Sequence, residues 1–355
     1  MQLTTEIRYL PESTNTLLTN VQSVTWSFGR RTLTDPFPAG RVLVTGRRPD
    51  LLPAIQINDR MSVSIYSGLY GTGDRFRVAD LIVDYGIASS EDTWQLVLED
   101  SIAVLGRSYV TTSFAAGDLT STAFATVATA AGVNSVTDVG ASKVSAQSFT
   151  DTNALTICNQ ILATEQAYLY TVSATTDTVT VSGRNSSPSF TIVFTDGTVA
   201  GAGYKFDKLS FGGLADNYAT KTVVEPAGLA AQSSGTGKRV VVVPSYDQTT
   251  SQAANLAAYV NALLSYTAKT PTEISFLSST LTDAIPLQEL FAKPRSGLTI
   301  KFRSSTYYAI VEGGILTADP NDVRVTLFLS GADQTNYLTL DNAVTGKLDN
   351  NRLGF

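Results

Sequence analysis

The sequence predicts a mainly β protein with an α+β insertion, on three observations. Ser and Thr together make up more than a fifth of the residues, and Thr, like the 15 Tyr and 15 Phe, favours pleated, half-buried surfaces. Short runs of alternating apolar and polar residues recur along the chain, separated by Gly, Pro and Asn/Asp turn signals. Only three segments carry an apolar period of 3.6, and two of these fall in the middle of the chain. At 355 residues the chain has room for two or three packed units and more than one core.

From Val21 to about Val110 the text reads as short strands. "GRVLVTGRRP" closes on Gly46 and Pro49, "RMSVSIYSG" places Val63 and Ile65 on one face, and "RFRVADLIVDYG" supplies another strand before Gly86. In "DTWQLVLEDSIAVLGR", Trp94, Leu96 and Leu98 alternate before an apolar turn at Ile102 to Leu105. Strands at this spacing predict a barrel or a curled sheet. Trp26 and Trp94 lie on alternating apolar strands and read as core or interface residues.

The texture then changes. "TSTAFATVATAAGV" spaces Phe124, Val127 and Ala131 as a helix that Gly132 would end, and Asn134 to Phe149 reads as a linker or irregular excursion. "DTNALTICNQILATEQAYLYTVS" gives a clearer helix, with Leu155, Cys158, Ile161, Leu162 and Leu169 on one stripe and Asp151 or Thr152 as its cap. "AYLYTVSA" and "DTVTVSGR" follow as a hairpin, and "SFTIVFTDG" adds a strand. Later come the strands "NYATKTVVEPAG" and "RVVVVPS", then a helix over "TTSQAANLAAYVNALLSYTAK" starting at Thr249 or Thr250, with Leu256, Val260, Leu263 and Thr267 on one face. "TEISFLSST", "GLTIKFRS", "TYYAIVEGGILTA" and "DVRVTLFLS" complete a second half of barrel texture.

The chemistry these residues can support is narrow. With no histidine and one cysteine there is neither a zinc cluster of Cys/His spacing nor an intramolecular disulfide. Cys158 falls on an apolar helical stripe and has no histidine to activate it, so it reads as a small core residue. "GTGKR" lacks the first Gly and the final Ser/Thr of a phosphate loop, holding Gln232 and Arg239 there, and a strand follows where a helix is needed. The acidic pairs Glu91-Asp92 and Glu99-Asp100 are sequence neighbours, which a strand points to opposite faces, so they read as surface carboxylates. Ser142 beside Lys143 makes no Ser-x-x-Lys motif. Catalytic, cofactor and metal residues are therefore expected to be none.

A net charge of −6 argues against a dedicated nucleic-acid binder. Arg30, Arg31, Arg41, Arg47 and Arg48 interleave with acidic and apolar positions and read as a solvated or interface face. "MQLTTEIRYLPEST" is polar throughout and no apolar run reaches membrane-span length, so a soluble protein without a cleaved leader or membrane anchor is expected. The sequence closes on "LDNNRLGF", which sets Leu353 and Phe355 where solvent would oppose them unless they dock.

Taken in order, these segments resemble minor tail proteins of long-tailed, siphovirus-type bacteriophages. "VTWSFGRRTLTDPFPAGRVLVTGRRPDLLPAIQINDRMSVSI" is similar to their opening block, although "VTGRRPD" stands where a longer Asn/Asp-rich run is usual. "FRVADLIVDYG" with "DTWQLVLEDSIAVLGR" is similar to a second block, with Asp100 and Leu105 in matching places. In "ALTICNQILATEQAYLYTVSATTDTVTVSGR", Glu165, Tyr170, Val181 and Arg184 fall in place, while Gln166 and Ala167 replace small residues. "YYAIVEGGILTADPNDVRVTLFLS" followed by "YLTLDNAVTGKLDNNRLGF" is similar to the final strand and tail. The collinear order carries the resemblance.

The resemblance implies a tail-tip or baseplate hub: two tail-tube-like β-barrel modules, at 1–111 and 206–335, an α+β helix–hairpin domain at 112–205, and an assembly peptide at 336–355. It implies a homotrimer presenting six barrels to a sixfold tube. Its partners would be a distal tail or tail-tube protein, the tape-measure end, receptor-binding or fibre proteins, and DNA in passage without sequence-specific binding. The expected place is the virion tail tip, after assembly in the host cytoplasm. Arg30, Arg31, Arg352, Leu353 and Phe355 are the expected interface residues. A carbohydrate-binding adhesin is the alternative reading, and a tail-borne cell-wall hydrolase a third.

Overall fold

A computed structural model describes residues 3–10, 16–67, 70–87, 91–138, 140, 142–171, 178–183, 190–197, 203–211, 218–267, 270–281, 285, 290 and 296–332. Arg352, Leu353 and Phe355, with the whole tail at 336–355, lie outside them. The chain is mostly β with four α-helices among the described residues, as expected for the fold class.

One 14-stranded sheet dominates. In its first part, Val21–Gly29, Arg41–Arg47, Thr93–Glu99, Tyr70–Asp84, Arg60–Ser67 and Leu3–Tyr9 pair in that order, all antiparallel. In its later part, Ser305–Ala318 has Val323–Gly331 along one edge, and Pro271–Leu277 pairs beyond it. The other edge of Ser305–Ala318 is shared. Residues 305–310 pair with Gly297–Phe302, and Gly313 to Ala318 pair with Val24 to Gly29. A single strand thus changes partners halfway and welds the two ends of the chain into one sheet. No pairing among the described strands closes either part into a ring.

The alternation read from the sequence is what buries this sheet. Val42 and Val44, Met61, Val63 and Ile65, and Trp94, Leu96 and Leu98 point into one apolar core, together with Ile274, Phe276, Leu298, Ile300, Val325 and Leu327 from the later strands. That core is continuous across both halves. Trp26 meets Phe76 edge to face at 5.5 Å, a favoured aromatic geometry. Trp94 is 2% exposed and donates from Nε1 to the Arg47 carbonyl. Gly46 is not the turn residue the sequence suggested. It lies inside Arg41–Arg47, and a Cβ there would meet the Trp94 ring at 2.2 Å. Both tryptophans are interior residues, with no face left to stack on a sugar.

The helices are α1 (Ile102–Arg107), α2 (Thr120–Ala130), α3 (Ala154–Glu165) and α4 (Thr250–Thr267). The expected apolar turn at Ile102 is the short helix α1, and Gly132, at φ +73, ends α2 as expected. Asn153 caps α3, its side chain accepting from the Thr156 amide at 3.1 Å, so neither Asp151 nor Thr152 does so. Leu155 is only partly buried, whereas Ile157, Cys158, Ile161 and Leu162 are fully inside. At α4, Thr249 Oγ1 accepts from the Gln252 amide while Gln252 Oε1 accepts from the Thr249 amide, a reciprocal capping box. Its buried stripe runs Ala253, Leu256, Ala257, Val260 and Leu264, one residue beyond the expected Leu263.

The segment expected to be irregular carries strands at both ends. Asn134–Thr137 pairs in parallel with Thr178–Ser182, which also forms the expected hairpin with Tyr168–Thr171. Gln147–Asn153 pairs with Tyr109–Phe114 through a bulge between Phe149 and Thr152. These strands and α1 to α3 enclose a second core. A third lies where α4 covers a small sheet of Gln232–Gly235, Lys221–Pro226 and Val240–Ser245. "GTGK" is the connection between the two outer strands of that sheet, so no helix N-terminus stands behind it to bind phosphate.

Candidate functional site

The residue that joins these parts is Glu312, and a β-bulge puts it there. Val311 pairs with Leu329 and Gly313 with Phe328, leaving Glu312 as the extra residue, turned inward at the point where its strand changes partners. It is 0% exposed, and its Oε2 accepts from Arg30 Nε at 2.7 Å. Its Oε1 accepts from the Tyr168 hydroxyl at 3.0 Å and from Ser330 Oγ at 2.6 Å. Arg30 lies over the rings of Phe37 (4.5 Å) and Tyr168 (5.1 Å). Burial pulls the guanidinium pKa down, yet the Glu312 carboxylate and the Tyr168 hydroxyl outweigh it and leave it raised. Four residues from the start, middle and end of the sequence thus meet in one buried polar node.

Glycines let the strands close around it. Gly29 sits at φ +64, and a Cβ there would lie 2.3 Å from the Glu312 carbonyl; one on Gly313 would lie 2.4 Å from the Phe28 carbonyl. Gly29→Ala combines a left-handed backbone with a backbone clash, so it is expected to cost about 2 kcal/mol or more. A lowered urea midpoint with unchanged slope checks this.

The five arginines expected on a solvated or interface face divide. Arg31, Arg41, Arg47 and Arg48 are exposed, and Arg31 lies 5.8 Å from the Phe328 ring. Arg30 is 5% exposed, and solvation is corrected for it because Glu312 supplies a counter-charge inside the chain. A second correction concerns the acidic pairs. Asp100 is 5% exposed, its Oδ2 accepting from the Gly40 amide and its Oδ1 from the Ile102 amide at the start of α1. Burial first, then the neighbouring Asp74 carboxylate, push its pKa well above the ordinary range against the pull of these amides. Glu165, also buried, accepts from Thr120 Oγ1 and the Ser142 amide, fastening the end of α3 to the start of α2.

Beside the node opens a cleft of about 380 Å³, bounded by residues 33–37, α3 and Val243 and Pro244 of the strand Val240–Ser245. Asn159 holds the 33–37 loop across it, accepting from the Phe37 amide at 2.8 Å and donating to the Phe37 carbonyl at 3.2 Å. Near the end of Tyr70–Asp84, Ile82 is 44% exposed, and just beyond it Tyr85 and Ile87 are 80% and 105% exposed. Apolar exposure on this scale suits a contact surface.

As a whole, this fold is similar to those of solved phage tail proteins. Over 93% of its length the chain matches the tail protein from Neisseria meningitidis MC58, covering 97% of that chain at a TM-score of 0.67 and 11% identity. It matches the prophage MuSo2 43 kDa tail protein from Shewanella oneidensis over 92% of its length and 97% of that chain, at a TM-score of 0.58 and 10% identity. An Escherichia coli type VI secretion component, described as structurally similar to phage T4 tail proteins, matches over 94% of the chain and 78% of its own length, at a TM-score of 0.52 and 11% identity. No family model matches the sequence, and no curated protein sequence matches it.

Proposed function

We propose that the chain is a structural virion protein of a bacteriophage tail tip, a trimeric hub that joins a sixfold tail tube to a threefold tip and lines the DNA exit channel. The observation that carries this reading is the end-to-end match to a tail protein, 93% of one chain on 97% of the other. In it, residues 1–111 and 206–335 supply two barrel modules per copy, and 112–205 form the helix–hairpin insertion. Three copies then offer six modules to the tube. The partners are a distal tail or tail-tube protein, the tape-measure end and receptor-binding or fibre proteins.

The hub works by geometry. The chain's one thiol, Cys158, is buried and its pKa pushed up by desolvation, which suits packing and not nucleophilic attack. A net charge of −6 suits a channel that lets DNA slide without adhering, since phosphate contacts would need cationic walls. At micromolar concentration the purified protein is expected to sediment as a trimer, and low-resolution images to show a threefold ring with a central hole. A monodisperse monomer overturns the reading.

The exposed Tyr85 and Ile87 give the assembly a specific handle. Tyr85→Ser with Ile87→Ser is expected to change unfolding free energy by no more than about 0.5 kcal/mol, as surface substitutions do. It should weaken association at least tenfold, read from the concentration dependence of sedimentation.

A further inference from the structure

We propose that the cleft between residues 33–37 and α3 is the receiving site for residues 350–355 of this chain, the segment "NNRLGF". This does not rest on the hub reading, since a chain that never trimerised could seat its own segment.

The cleft carries two chemical demands. Its lining includes the apolar side chains of Leu33, Phe37, Leu162 and Val243, and its volume of about 380 Å³ falls in the range of ligand-sized pockets. The second demand is at the rim. Asp35 gives one carboxylate oxygen to the Thr32 amide at 2.9 Å, and the other has no partner among the described residues, which suits a cation.

The segment meets both demands. Arg352 brings the cation, and Leu353 and Phe355 bring the apolar groups. The described chain also ends in the right neighbourhood. Ala332 belongs to the same apolar cluster as Phe37, and Ser330 bonds Glu312, the partner of Arg30. The eighteen or so residues from there to Asn350 could span on the order of 60 Å when extended, enough for the chain's own cleft or that of an adjoining copy.

The test places p-benzoylphenylalanine at position 355 of the full chain, irradiates it and maps the adducts by mass spectrometry. Adducts on residues 33–37, 156–166 or 243–244 are expected, with yield falling at least fivefold in Leu353→Asp. Asp35→Arg and Arg352→Asp should each lower the yield, and the double variant should restore it. Mixing isotopically light and heavy chains assigns each adduct to one copy or two. Adducts confined to other surfaces, an absence of adducts, or a charge swap that fails to restore yield in a double variant with unaltered melting overturns the proposal. A monomer that still gives cleft adducts would sink the trimer and leave this contact standing.

Discussion

Glu312→Ala is expected to destabilise the fold by about 3–5 kcal/mol, the range found when one partner of a buried ion pair is removed. The loss has identifiable parts. Arg30 would keep its charge at 5% exposure with no counter-ion, and the Tyr168 and Ser330 hydroxyls would lose their shared acceptor. Each orphaned neutral group costs about 1–3 kcal/mol when water cannot replace the partner. Glu312→Gln should cost less than Ala, since one amide oxygen can still accept from the hydroxyls, although its NH₂ then faces Arg30. Urea unfolding of the three proteins gives the order directly.

A double variant separates pairing from packing. Arg30→Met with Glu312→Leu removes both charges and keeps the volume, a replacement that often restores stability when a buried pair is exchanged for apolar side chains. Here recovery should be partial, because the two hydroxyls remain unpaired. If Glu312→Ala falls within 1 kcal/mol of the parent, the node does not hold the parts together, and the continuous core across the sheet does so alone.

The node also marks the limit of what the residues disclose in one dimension. "TYYAIVEGGILTA" reads as one alternating strand, and it is one. The inserted residue at Glu312 shifts the parity, so that Val311 and Leu316, five residues apart, share one core while Ile315 is 37% exposed. An acidic residue followed by two glycines in an apolar strand was the available signal. What it could not reveal was the partner, because Arg30 lies 282 residues away. Arg30 looked like one more surface charge among five.

Local pattern served well where burial has a simple period. Thr93–Glu99 shows its alternation in the text, and the capping box of α4 is spelled by Thr249 and Gln252. It failed for Asn134–Thr137 and Gln147–Asn153, whose residues are mostly polar and half-exposed, so alternation there carries no hydrophobic contrast. Their order comes from partners, Thr178–Ser182 and Tyr109–Phe114, and no window of the sequence contains both. Asp100 escaped for a related reason. A carboxylate at the end of a strand reads as solvated unless the amides it will cap, those of Gly40 and Ile102, are known to converge on it.

Asp74→Asn is expected to raise stability at neutral pH and to flatten its pH dependence. Asp74 lies in Tyr70–Asp84 at 7% exposure, where its Oδ2 accepts from Thr171 Oγ1 of the helix–hairpin unit and its Oδ1 from the Arg75 amide. Burial raises its pKa from 3.8 to about 6, outweighing the downward pull of those two bonds. In the window from about pH 4 to 6 the native state therefore holds a proton that the unfolded chain has released, and stability falls as pH rises through it. Above that window the carboxylate is buried charged, at a penalty of roughly 3 kcal/mol by the size of the shift. Asparagine keeps an acceptor for Thr171 without the charge, and it also relieves Asp100, whose own rise draws in part on the Asp74 carboxylate. The variant and the parent should then unfold with similar free energies near pH 4 and diverge to about 3 kcal/mol by pH 7 to 8. Parallel stability curves from pH 4 to 8 would show that Asp74 titrates near its ordinary value, and that the contact between this strand and the hairpin is no less stable with the carboxylate charged.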